Sequence, residues 1–229
     1  MYFLVLISCL FIFLFSIYIL GKDDYLFIRK NFSLDNLFDY AFIGLFAGII
    51  FARFLWVFFR STIEKNFLSH LFSPIDAGVI LAGIVSGSML SIYLISKYRK
   101  MPTLRLFDFF SLAFLSTFSF GYLASSLFFR DREIFYYLVP AICYLIICVF
   151  FWKVLYLRLI SSKLKDGSLS SLFLQIFSLL SFVLLFVYQF LNSSIRLDAA
   201  YIFLLIIFLG SLIFLLRNEK YFKKIKSNK

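Results

Sequence analysis

Two places in this chain set polar side chains among apolar ones in a pattern that could do chemistry. Arg53 stands within FAGIIFARFLWVFF, about 10 Å in from the nearer end of its apolar run at 1.5 Å per residue. A guanidinium offers a fixed fork of donors matched to a phosphate or carboxylate, so one reading is an anion site whose natural ligand is a phospholipid headgroup. The other is an arginine that snorkels to the headgroup layer. The second place is a stripe: Asp108, Ser111, Ser119, Tyr122 and Ser126 follow at offsets of 0, 3, 11, 14 and 18. At about 100° per residue these fall on one narrow helix face. Such a stripe either lines a cavity or hydrogen-bonds between helices, as Ser and Tyr commonly do in membrane bundles. Tyr122 reaches the depth of Arg53, so the two would line one cavity if their helices are neighbours.

The elements that must hold these residues are seven apolar runs, near residues 2–21, 37–59, 74–96, 106–129, 134–157, 168–191 and 197–216. Each meets the requirement of about 20 apolar residues for crossing a hydrocarbon core of about 30 Å. With 63% hydrophobic and 15% charged residues, the chain has too little polar surface for a soluble domain. The runs are unbroken rather than alternating, which predicts helices and not a barrel. The first run lacks a basic leader and an A-x-A-like cleavage site and is read as a retained helix. The expectation is an all-α polytopic membrane protein: one seven-helix domain over residues 1–216 and a basic tail over 217–229.

Charge gives the orientation. Sixteen of the 23 Lys and Arg residues lie in the segments after the first, third and fifth runs and in the tail, five lie in the alternate segments, and Arg53 and Lys153 lie inside runs. By the positive-inside rule the N-terminus is outside and the C-terminus cytoplasmic. The net charge of +11 therefore belongs to membrane insertion and anionic headgroups, not to nucleic acid. Cys9, Cys143 and Cys148 lie in apolar runs without a C-x-x-C or paired spacing and read as packing residues. His70 is the sole histidine and sits in a loop without ligand partners, so neither metal nor cofactor is expected. No Walker loop, dinucleotide fingerprint or G-x-S-x-G elbow is present. Gly44 and Gly48 in the second run, and Gly83, Gly87 and Ser91 in the third, have the spacing that lets backbones approach. A weaker stripe of Ser171, Gln175, Ser178 and Gln189 marks the sixth. These faces are expected to form the interior, with the phenylalanines toward lipid, and Pro140 is the one candidate kink.

Three stretches carry a family resemblance. Residues 34–59 contain FARFLWV where a G-A-R-L-x-Y-V segment is expected; residues 76–110 run DAGVILAGIVSG, a helix, the basic turn KYRKMP and then LRLFDFF; and residues 167–188 match a sixth helix in length and apolar pattern. In this order the chain resembles the bacterial prolipoprotein diacylglyceryl transferase family, multi-pass proteins of the plasma (inner) membrane. The resemblance implies transfer of a diacylglyceryl group from phosphatidylglycerol to the lipobox cysteine of a preprolipoprotein. It keeps Arg53, Gly83, Asp108 and Gly121. The family's H-G-G is replaced by Leu81, Ala82 and Gly83, its G-R-x-G-N-F by Gly121, Tyr122, Leu123, Ala124, Ser125 and Ser126, and the charged residues of its helix-six pattern by Ser181, Leu185 and Tyr188.

Losing cationic donors matters where a phosphate leaving group must be stabilised, since such groups are worth several kcal/mol of barrier. Tyr122 offers one neutral donor in place of a bidentate cation. Three readings follow. One is a divergent transferase acting through Arg53, Asp108 and Tyr122. The next is a pseudoenzyme that binds phosphatidylglycerol, another anionic phospholipid or a signal-peptide segment at Arg53, Gly83, Gly121, Ser119 and Ser126. The last is a small transporter or structural protein.

Overall fold

A computed structural model describes residues 2–22, 24–30, 32–60, 77–99, 101–128, 134–191 and 199–227. His70 and the loop cations Lys65, Arg130, Arg132 and Arg196 lie outside them. Seven helices account for the seven runs: α1 (Tyr2–Lys22), α2 (Leu34–Arg60), α3 (Ala77–Tyr98), α4 (Thr103–Phe128), α5 (Ile134–Phe150), α6 (Ser168–Leu191) and α7 (Ala199–Ser227). A one-turn helix, Tyr25–Arg29, follows α1, and α5 continues through a π-helical turn at Phe151–Leu155 into Tyr156–Ile160. No strand occurs among the described residues. All seven helices contain a stretch long and apolar enough to cross a membrane. The chain is an all-α polytopic membrane protein.

Two boundaries differ from the sequence reading in ways that matter. α4 begins at Thr103, not near residue 106, so Arg105 is a helix residue rather than a loop residue. α7 runs on to Ser227, so the basic tail continues the last helix. Helix also persists through Pro140, and the departure from α geometry falls at Phe151–Leu155, where hydrogen bonds span one residue more than in an α-helix.

The bundle is built around α4, whose apolar window is 72% buried against 22% for α7. α4 packs on α1, α5, α6 and α3, while α2 pairs with α3 and α6 with α7. Phenylalanines supply much of the ring packing on α4. Phe13 of α1 meets Phe110 and Phe114 at ring separations of 5.6 and 5.0 Å, and Phe118 meets Phe177 of α6 at 5.6 Å. These rings are buried, whereas Phe11, Phe46, Phe54, Phe58 and Phe190 are exposed, so the expectation that the phenylalanines face lipid holds for only part of them. Lipid is as apolar as a phenylalanine ring, so burial against protein is decided by shape and dispersion rather than by hydrophobicity.

The small residues do bring α2 and α3 together. A Cβ at Gly83 would meet the main chain of Ala52 at 2.5 Å, and one at Gly87 would meet Phe51 Cβ at 2.5 Å. At this spacing Ser88 Oγ donates to the carbonyl of Gly44 at 2.8 Å, a bond between helices that a wider gap would forbid. The polar residues of α6 tie it to α7: Ser171 Oγ donates to Ser211 O at 2.6 Å, and Tyr201 Oη donates to Gln189 Oε1 at 2.9 Å.

Candidate functional site

The stripe on α4 is buried throughout, from Asp108 and Ser111 to Ser119, Tyr122 and Ser126. Its hydroxyls, however, turn back on their own helix. Ser111 Oγ donates to Phe107 O, Ser119 Oγ to Leu115 O, and Ser126 Oγ to Leu123 O, at 2.7 to 2.8 Å. A serine bonded to the carbonyl one turn earlier meets its own need for a partner without lining a cavity. Gly121 is buried and its carbonyl accepts from Ser125 Oγ at 2.8 Å.

Asp108 and Tyr122 occupy different ends of this stripe. Fourteen residues separate them, about 21 Å along the axis at 1.5 Å per residue. Tyr122 is stacked on Tyr144 of α5, ring to ring at 5.7 Å with planes 10° apart. Arg53 lies over the ring of Trp56 one turn on in α2, 4.9 Å from its centroid. The structure thus brings the three candidate catalytic residues to three separate surroundings.

Asp108 has a defined task. Its Oδ2 accepts from the main-chain N–H of Gly167 and its Oδ1 from that of Ser170, each at 2.7 Å. These are two of the donors that the first turn of α6 leaves without helical partners. Asp108 therefore caps α6 from another helix, placing its carboxylate at the positive end of the α6 dipole. Gly167 has φ of +87°, a conformation that side-chain-bearing residues rarely adopt, and this turn aims its N–H at Asp108.

Around this cap lies a network that reading the sequence missed. Asp24 caps the one-turn helix, its Oδ1 accepting from Leu26 N and Phe27 N at 3.0 and 3.3 Å. Its Oδ2 accepts from Arg105 Nε and Nη2 at 3.0 and 2.7 Å, both side chains being buried. Arg105 Nη1 also donates to Asp166 Oδ1 at 3.2 Å, and Asn218 Nδ2 of α7 donates to Asp166 O and Ser168 Oγ. One arginine thus joins the α1–α2 connection, α4 and the turn before α6, and Asn218 adds α7. Two signals were present: Asp24 stands one residue before YLFIR, and Asp166-Gly167-Ser168 opens the sixth run as a cap sequence would. Arg105 was hidden by a boundary error of one turn.

An apolar crevice lies elsewhere in the bundle. It measures about 380 Å³ and is bounded by α1 (Phe3, Cys9), α2 (Leu45, Ile49), α3 (Ile84) and α4 (Phe114), among other apolar side chains. Leu45, Ile49 and Arg53 follow at four-residue spacing, so Arg53 stands about one turn, roughly 6 Å, beyond the α2 wall of the crevice. Gly83 lies beside Ala52 at the same level, closing the α2–α3 seam. Among the described residues no group of His, Cys, Asp and Glu is placed to hold a metal ion.

Comparison with known proteins adds no relative: no family model, curated protein or solved structure matches this chain. The fold and its seven apolar helices define its class as a multi-pass membrane protein.

Proposed function

We propose that this chain is a phospholipid-binding member of the prolipoprotein diacylglyceryl transferase type that keeps the bundle without the transfer chemistry. An acyl chain lies in the crevice between α1, α2, α3 and α4, and the phosphate of phosphatidylglycerol or another anionic phospholipid is held at Arg53. The observation that carries this reading is the apolar crevice whose α2 wall ends at Ile49, one turn before the arginine. A chain of methylenes matches such a lining, and a guanidinium at its end matches the charge to which that chain is attached. With the N-terminus outside and the C-terminus cytoplasmic, the orientation that the positive-inside bias favours, Arg53 lies toward the outer leaflet of a bacterial plasma membrane.

The transferase reading asks more of the site. Forming a thioether at the lipobox cysteine expels glycerol phosphate, whose charge must be stabilised as it leaves. Asp108 is about 21 Å along α4 from Tyr122, and both its oxygens already accept main-chain N–H groups. Of the three residues proposed to act, Arg53 is the one cation.

The test places the purified protein in phosphatidylglycerol nanodiscs with a lipobox-cysteine peptide, beside Arg53→Ala. Retained lipid and peptide mass are both read. The expected result is no peptide mass gain and about tenfold less phosphatidylglycerol retained by the variant, the scale of one charged hydrogen-bonding group. Equal retention by both proteins overturns the proposal. A gain of one diacylglyceryl group on the peptide, lost in Arg53→Ala, establishes the transferase instead.

A further inference from the structure

A second cavity lies at the opposite end of α2 from Arg53, independent of the crevice. It measures about 160 Å³ and is lined by Asp39, Tyr40, Phe42 and Ile43 of α2, Ile95 of α3 and Arg99 just beyond it. Tyr40 is 1% exposed, and its hydroxyl is buried with no hydrogen-bond partner among the described residues. A buried phenol without a partner is costly, and it stands here at the wall of a cavity that also holds a cation and an anion. Arg99 and Asp39 are both exposed, and neither forms an ion pair with a described residue. Phe42 and Ile43 are about half exposed, giving the cavity an apolar flank on the lipid side.

We infer that this cavity is a binding site for a zwitterionic phosphate ester of the phosphoethanolamine type. The phosphate accepts from the Arg99 guanidinium and from Tyr40 Oη, and the ammonium donates to the Asp39 carboxylate. The match is one of charge and order: a cation and a neutral donor for the oxyanion, and one carboxylate for the amine. The cavity is large enough for a headgroup and too small for an acyl chain, which would run out along Phe42 and Ile43.

The experiment uses the full chain in phosphatidylcholine nanodiscs doped with phosphatidylethanolamine or phosphatidylglycerol, with retained lipid counted by native mass spectrometry. Wild type retains phosphatidylethanolamine in preference to phosphatidylglycerol. Tyr40→Phe, which removes one oxygen from a packed ring, and Arg99→Gln, on an exposed side chain, each lower that retention about tenfold. Asp39→Asn abolishes the preference for the ethanolamine headgroup. Competition by soluble phosphoethanolamine at millimolar concentration would assign the site to free phosphate esters, and its failure to compete assigns the site to the lipid. Wild-type retention and preference in both Tyr40→Phe and Arg99→Gln overturn the inference. Arg53→Ala leaves this preference unchanged, so failure here and failure of the Arg53 reading are separable.

Discussion

Asp108→Asn distinguishes a structural carboxylate from a catalytic one, and its size can be worked from the cap geometry. In the native protein each oxygen accepts one main-chain N–H at 2.7 Å in a fully buried site. Asparagine keeps one acceptor. The remaining bond changes from a charged to a neutral acceptor, losing about 1 kcal/mol, and the other N–H is left facing an NH₂ group, costing about 2 to 3 kcal/mol. The total is about 3 to 4 kcal/mol. For a chain of this length 1 kcal/mol moves the midpoint by roughly 2 to 4 °C, so a fall in Tm on the order of 10 °C is expected. Thermal unfolding in detergent, followed by tryptophan emission, measures it, with the exposed Asp35→Asn as a control expected to move by no more than about 2 °C. Phosphatidylglycerol retention below the midpoint should be unchanged. An Asp108→Asn protein that melts within about 2 °C of wild type would refute the capping argument. Loss of lipid retention at unchanged Tm would return Asp108 to the active-site role that the resemblance implies.

Further expectations rest on other parts of the bundle. Arg105→Gln strands the buried Asp24 carboxylate and should cost about 3 to 5 kcal/mol; the double variant with Asp24→Asn should recover part of this, with a coupling above about 1 kcal/mol in a double-mutant cycle. Gly83→Ala drives a methyl into the Ala52 main chain and should destabilise by about 1 to 3 kcal/mol. Gly210→Ala meets nothing within 4 Å and should be neutral or slightly stabilising in the same melting assay. Trp152→Phe removes the indole N–H that donates to Ser116 Oγ at 3.0 Å between α5 and α4; a loss of about 1 kcal/mol is expected, and no measurable change would show that this bond does not fasten the two helices.

The helix count and the all-α class follow from residue types and their spacing alone. Length and unbroken apolarity identify a span without reference to any neighbour, because lipid demands internal hydrogen bonding from every segment that enters it. The glycines of α2 and α3 likewise declare a close approach, since a missing side chain has the same consequence in any context. Which face of each helix is buried was not legible: lipid and protein interior are both apolar, so no periodicity separates Phe114, in the core, from Phe46, in lipid. Nor did the stripe on α4 reveal its division of labour. Ser111, Ser119 and Ser126 bond to their own helix, Tyr122 stacks on α5, and Asp108 crosses to α6, because each outcome depends on what the neighbouring helix presents at that height. The Asp24–Arg105–Asp166 network joins residues up to 142 positions apart in the chain, and only folding, by placing one end of four helices within a few ångströms, decides that these charges meet.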